Sequence, residues 1–244
     1  MIGERLMEVR GAYQVGAHHV VHCSPQLLRG LEVLRCFGFD AREPHPRRRR
    51  KIPGGTVKIF FALNGVFEGR PVTPTAPVVG MHDRGGTVEH AGRMVSVQVQ
   101  LDPLAARAFL GVPLHEFRNK AIDLADVLGP PARELAHQLA ESANWAERFA
   151  LVADFLRARS AVAEPDATVA DALRRLRNFR GALSVAELAD EYRWSSRHFS
   201  RRFIDQVGIA PKSYGSLMRF SAASTALIRT RHTGPGPDRE RFRL

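Results

Sequence analysis

Cysteine is scarce in this chain of 244 residues: only Cys23 and Cys36 occur. Two are too few for the disulfide framework that holds small secreted domains together, and the scarcity suits a reducing cytosol. Long hydrophobic runs are missing as well. No apolar stretch approaches the roughly 18 residues of a membrane-crossing helix, and the first residues carry no signal-peptide pattern. The expectation is a soluble, cytoplasmic protein with no membrane partner. Lysine is sparse, four of the 36 basic residues, and acidic residues number only 25. The resulting net charge of +11 and pI near 10.8 favour a polyanionic partner, although a genome-wide arginine bias competes for part of that excess.

Constellations that carry catalysis are missing too. Gly54-Gly55 lacks the G-x-x-x-x-G-K-[ST] spacing of a phosphate loop and reads as a turn. Nothing assembles a nucleophile, a base and an orienting group, or a three-ligand metal set. His18, His19, His22 and Cys23 invite a zinc reading, but no second pair with ligand spacing follows, so alternating strand residues explain them better. No catalytic residue, cofactor or metal is therefore expected.

What is present changes character along the chain. Ser24-Pro25 reads as the start of a short helix with Leu27, Leu28, Leu31 and Leu34 as its buried stripe. From Cys36 to Leu101 the period is that of strands. Val57–Leu63, Pro77–Met81, Thr87–His90 and Met94–Leu101 are short and β-rich, separated by Gly and Pro. The basic run within His45–Lys51 fits a nucleic-acid patch, or a solvated edge strand or hairpin, equally well. Many short strands imply a small barrel or sandwich that can hold one ligand, and His82 and His90 are candidates to line it.

Asp102-Pro103 then starts a helix whose apolar face runs from Leu104 to Leu110. Ala121–Leu128 and Pro131–Glu141 read as helices broken by Gly129-Pro130. Trp145–Arg159 is longer, with Phe149, Val152, Phe155 and Leu156 at helical spacing. A membrane-surface role competes for these helices, but their faces are mixed in charge and a core explains them. After a linker over Ser160–Asp166, Val169, Leu173 and Leu176 share one face of a helix that ends at Arg180-Gly181.

The stretch Leu183–Phe220 is the most informative. Ser184 followed by Glu187 is a capping box, and Leu188 and Ala189 give the helix behind it an apolar face. Ser195 can cap a second helix in which Phe199 and Phe203 fall four apart. Arg197, Ser200, Arg201 and Arg202 occupy its other sides. Gly208 closes it, and Pro211 opens a third helix where a missing N–H costs nothing. Two short helices, a tight turn and a basic second helix are the parts of a helix-turn-helix. From Tyr192 to Arg231 eight basic residues stand against one acid, Asp205.

In the order V-A-E-L-A, then S-x-R-H-F-x-R-x-F, then V-G-x-x-P-K-x-Y and R-F, this stretch resembles the first helix-turn-helix of AraC-type (AraC/XylS) transcription regulators. The match is dense over about forty residues. It departs in the turn, where the family often has glycine and this chain has Arg193. If the turn needs a left-handed backbone there, arginine costs about 1 kcal/mol. More loosely, R-x-x-x-P-G-G-x-V-K-I before one strand and L-D-P-L-A-A-R-A-F-L-G-V-P after the last resemble the N-terminal module of a subset of such regulators. That module is cupin-like and implies effector sensing or dimer contact.

The resemblance implies an α+β protein in which a β-rich, cupin-like sensor over 1–101 is joined by a helical connector, 102–160, to an all-α helix-turn-helix domain, 161–228. Double-stranded DNA is the expected partner, with an unnamed small-molecule effector and a homodimer as further expectations. The helix from Ser196 to Val207 is expected in the major groove. Arg197, Ser200 and Arg201 would face bases, Arg202 and Lys212 phosphates, and Ser195 a phosphate through its backbone amide. With Ser196 these form the expected DNA-facing set. The family usually has a second helix-turn-helix. Here the Pro/Gly-rich, charged segment 229–244 is expected to be a disordered tail, so that the second unit is missing. The competing functional reading is a truncated ligand-binding regulator with little DNA affinity that acts by dimerising with other proteins.

Overall fold

The structure, a computed structural model, describes residues 9–15, 18–51, 53–67, 70–71, 75–159 and 165–233. The strands are β1 (Val9–Val15), β2 (His18–Cys23), β3 (Val33–Lys51), β4 (Val57–Phe67), β5 (Arg70–Pro71), β6 (Pro77–Val79), β7 (Gly86–Leu101) and β8 (Ala121–Asp123). The helices are α1 (Pro103–Leu110), α2 (Leu124–Leu128), α3 (Pro130–Glu141), α4 (Trp145–Arg159), α5 (Ala167–Asn178), α6 (Val185–Glu191), α7 (Ser196–Val207) and α8 (Pro211–Thr233). A 3-10 turn spans Leu114–Phe117. The fold class is α+β: an antiparallel sheet followed by helices.

The sheet runs in the order β1-β2-β3-β7-β4-β6-β8, with β5 paired to β4. Side-chain alternation separates its two faces. On one, Cys36 of β3, Ile59 and Phe61 of β4, and Val95, Val97 and Val99 of β7 are buried against the helices. Gly38 lies on this face, and any Cβ there would strike the Trp145 ring of α4. The other face carries Phe37, Phe39, Phe60, Met94, Ser96 and Gln98 around a cavity. A strand buried on both faces reads as a continuous apolar run, whereas β7 alternates Met-Val-Ser-Val-Gln-Val, so the second face is chemically distinct.

Several local expectations change. Pro25–Gly30 forms consecutive turns instead of a helix, with Leu28 N–H donating to Pro25 O at 3.2 Å and Leu31 N–H to Leu28 O at 3.0 Å. Leu34 is exposed and already belongs to β3. A stripe of four leucines is too short to nucleate a helix when the following residues can join a sheet. The strands expected at Thr87–His90 and Met94–Leu101 are one strand, β7. Gly92, at φ +74°, opposes Glu43 and bends the ladder without breaking it. Ala121–Leu128 begins as strand: β8 pairs with β6 from Pro77↔Asp123 to Val79↔Ala121 before Asp123 caps α2. The basic run Arg47–Lys51 pairs with β7 on one side, while β2 pairs with β3 only over Phe37–Ala41, so among the described residues this segment is an edge of the sheet, as the edge-strand reading expected.

The C-terminal helices continue the same hydrophobic core. Phe199, Phe203 and Tyr214 are fully buried, with ring centroids 5.9 Å apart for the first pair and 6.0 Å for the second. α8 runs to Thr233, so residues 229–233, expected as tail, are helical. Ser221–Ile228 contains no glycine or proline, and the first such breaker is Gly234. The remainder of the expected tail, 234–244, lies outside the described residues, as does most of the 160–166 linker.

Candidate nucleic-acid interface and ligand cavity

The helix-turn-helix is built by caps that the local sequence supplies. Ser184 Oγ accepts from Glu187 N–H at 3.4 Å at the start of α6, and Ser195 Oγ accepts from His198 N–H at 3.2 Å at the start of α7. Between them α6 ends in a Schellman motif. Arg193 N–H donates to Asp190 O at 2.9 Å and Trp194 N–H to Ala189 O at 2.9 Å. Arg193 takes φ +55°, the left-handed conformation that the turn requires. The helix before it, α5, ends the same way: Arg180, at φ +52°, donates to Arg177 O at 3.0 Å and Gly181 to Leu176 O at 2.7 Å. Gly181 also lies against the Gly215 backbone of α8, leaving no room for a side chain.

This scaffold sorts the expected DNA-facing residues. Ser195, Ser196, Arg197, Arg201 and Lys212 are exposed, and Ser200 is half-buried. Arg197 and Arg201 stand one turn apart on α7, opposite the buried stripe of Phe199, Phe203, Gln206 and Val207. Among the described residues Arg193, Arg197, Arg201 and Lys212 have no acidic partner. Arg202 is different: it donates to Asp166 at 2.7 Å. Asp166 caps α5 through Thr168 N–H and Val169 N–H, and its own N–H donates to Gln206 Oε1 at 3.0 Å. Burial works against ionising that carboxyl, but the Arg202 hydrogen bond and the two amides hold it below its ordinary value. Arg202 therefore fastens α7 to α5. Asp205, the one acid of the segment, is 3.9 Å from Arg107 of α1.

A second junction joins the helix-turn-helix to the sheet side. Arg177, in the last turn of α5, bonds both Asp102, the α1 cap, and the buried Tyr214 hydroxyl, the latter at 3.3 Å. The C-terminal end of α7 rests on α1 and the 3-10 turn, where Gly208, at φ +94°, approaches Leu114 O. Sequence reasoning missed Asp166, Arg177 and Asp102 as partners because they lie 36 to 75 residues from the groups they bind.

The cavity on the outer sheet face has a volume of about 320 Å³. Phe37, Phe39, Phe60 and Met94 make it largely apolar, while His22, Arg35, Ser96 and Gln98 add polar groups. Ser96 is 2 % exposed and its hydroxyl has no hydrogen-bond partner, which is costly unless a ligand or water satisfies it. Burial, and secondarily the Arg35 charge, lower the pKa of His22. Of the histidines expected to line a pocket, His82 instead has its Nδ1 2.8 Å from Gly80 O, and the His90 side chain is outside the described ones. The alternation of β2, β3 and β7 is the signal that could have found His22, Arg35 and Ser96. Among the described residues no cluster of three His, Cys, Asp or Glu could hold a metal ion, and no helix is long and apolar enough to cross a membrane.

Residues 19–123 match a family described as a domain of unknown function, DUF6597. No curated protein matches the chain. Among solved structures, ToxT from Vibrio cholerae strain SCE256 with bound unsaturated fatty acid is 13% identical at a TM-score of 0.40, over 84% of this chain and 83% of that one. ToxT from Vibrio cholerae O395 bound to (E)-4-(8-methylnaphthalen-1-yl)but-3-enoic acid is 9% identical at 0.40, over 81% and 84%. A predicted oxalate decarboxylase from Thermotoga maritima is 14% identical at 0.25, over 40% of this chain and 90% of that one. At such identities and TM-scores these likenesses say nothing about what this chain binds.

Proposed function

We propose that the chain is a cytoplasmic, AraC-type transcription regulator that reads double-stranded DNA with α7 and receives a small effector in the sheet cavity. The observation that carries the DNA half is the exposed pair Arg197 and Arg201. They are unneutralised, one turn apart on a helix whose other side is locked in the core, and preceded by a left-handed turn at Arg193. Arginine on such a helix suits bidentate contact with guanine O6 and N7. Ser200 completes the base-facing row, Lys212 and the Ser195 amide lie at helix starts suited to phosphate, and Ser196 flanks them. Arg202 is assigned to holding α7 against Asp166 in place of a phosphate. The reading contains no catalytic step. Residues 1–101 form the sensing part, 102–160 the connector and 161–228 the DNA-binding part, with β8 as the connector's contribution to the sheet.

Selection of bound fragments from genomic duplex DNA tests this directly. At a selected site, Arg201→Ala is expected to cost about 1–3 kcal/mol and to relax the preference at one base pair. Lys212→Ala is expected to weaken all sequences equally. Equal, non-selective losses from both changes would make Arg201 a phosphate contact, and no enrichment of any fragment would remove the DNA reading altogether.

A further inference from the structure

Cys23 ends β2 and Cys36 lies near the start of β3. The antiparallel register pairs Val21 with Gly38 and His22 with Phe37, so the next step of the ladder sets Cys23 opposite Cys36. Both are buried on the helix-facing side of the sheet and both are free, with the Cys23 thiol donating to Ser24 O at 3.6 Å. Directly opposed residues of an antiparallel pair have Cα atoms about 4.5–5.5 Å apart, inside the range of about 4.4–6.8 Å that a disulfide spans. Their Cβ atoms, at about 4.5–5.5 Å, must close to about 3.5–4.5 Å. Bridging is within reach but draws the strands together, and strained disulfides are the readily reduced ones. A third ligand for a metal is absent among the described residues.

We propose that Cys23 and Cys36 form a reversible dithiol–disulfide centre, oxidised by a small hydroperoxide and restored by a thiol reductant. The two cysteines have different parts. The neighbouring Cys36 thiol and then the Arg157 guanidinium of α4 favour the Cys23 thiolate against the opposing effect of burial. The neighbouring Cys23 sulfur, together with burial, keeps Cys36 protonated well above the usual thiol range. Cys23 is one residue before Ser24 and the solvent-facing Pro25–Gly30 turns, which Arg157 holds by donating to Leu27 O. Cys23 is thus the attacking sulfur. It takes one oxygen of hydrogen peroxide, the O–O bond breaks, and the departing hydroxide is protonated to water, leaving a sulfenic acid. The Cys36 sulfur then attacks that sulfur and loses its proton. The S–O bond breaks, and the hydroxide leaves with that proton as a second water. Two thiols are oxidised by two electrons in all, and one peroxide is reduced to two waters. This inference is independent of the DNA-binding reading.

The test uses the full reduced chain and hydrogen peroxide, followed by denaturation, maleimide labelling and intact-mass measurement. Both thiols should disappear together, with loss of two hydrogens from a chain that remains a single chain on a non-reducing gel, and dithiothreitol should restore both. Cys36→Ser should accumulate a dimedone-trapped sulfenic acid at Cys23. Cys23→Ser should slow oxidation of the remaining thiol by about tenfold or more. Persistence of both thiols at peroxide doses that oxidise a free cysteine peptide would overturn the proposal. So would crosslinks between chains, or sulfinic acid at Cys23 beside an intact Cys36. The unmutated chain alone decides the main point, so failure of either variant to fold leaves the proposal refutable.

Discussion

Replacing Arg193 with glycine should make the protein more stable although it removes a charged side chain from the helix-turn-helix. Arg193 sits at φ +55° as the C′ residue of α6, donating to Asp190 O while Trp194 donates to Ala189 O. The left-handed conformation costs a residue with a Cβ about 1–2 kcal/mol. Glycine avoids that cost but loses roughly 0.5–1 kcal/mol through its freer unfolded chain. The expected net gain is about 0.5–1 kcal/mol, or about 1–4 °C in Tm for a chain of this length. Alanine keeps the Cβ and so the strain, and should lie within about 0.5 kcal/mol of arginine. Valine should fall below both, because a β-branched residue is still less at home there. Thermal unfolding by circular dichroism, with m-values from urea titration to exclude a change in the unfolded chain, gives the order. A Tm that fails to rise with glycine, or rises equally with alanine, would show that Cβ strain is not what limits this turn.

If DNA binding rests on Arg197, Arg201 and Lys212, affinity should fall about tenfold or more between about 50 and about 200 mM salt; a flat dependence measured by fluorescence anisotropy would count against it. Asp166 is held ionised below its ordinary pKa, so its contribution to stability is complete above about pH 4 and disappears as pH falls through the folded value. Asp166→Asn should therefore unfold at lower Tm than the unmutated protein at neutral pH, with the gap narrowing as pH falls below the ordinary carboxylate range; a gap independent of pH would mean that the charge on Asp166 does not matter. Gly181→Ala combines a left-handed backbone with collision against Gly215, and should cost about 2–4 kcal/mol in urea unfolding. A loss below about 0.5 kcal/mol would show that α5 and α8 can separate at that point without penalty.

The helix-turn-helix was legible in the sequence because its determinants are local. Ser184, Ser195 and Gly208 act within one turn of the chain, and Phe199 and Phe203 declare a buried face by spacing alone. The same holds for α1, whose Asp102-Pro103 start and buried Leu104–Leu110 face need no distant partner to be read. Even the strain at Arg193 could be anticipated, since the turn's geometry follows from the helices on either side.

Sequence by itself therefore determined an α+β chain, the helix α7 with its capped start and basic composition, and the strand character of residues 36–101. Tertiary structure decided what depended on partners far along the chain. Four leucines near residue 30 became turn and strand because the β3–β7 ladder captures that segment. Ala121–Asp123 was drawn into the sheet by β6. Arg202, identical in type to Arg201, was removed from the free basic surface by Asp166, while Arg201 was left to solvent. The cavity and the facing cysteines arise only when strands separated in sequence come into register. Caps and periodicity act over a few residues and can be read along a line; ion pairs, cavities and opposed thiols depend on which segments share space, and that is set by packing.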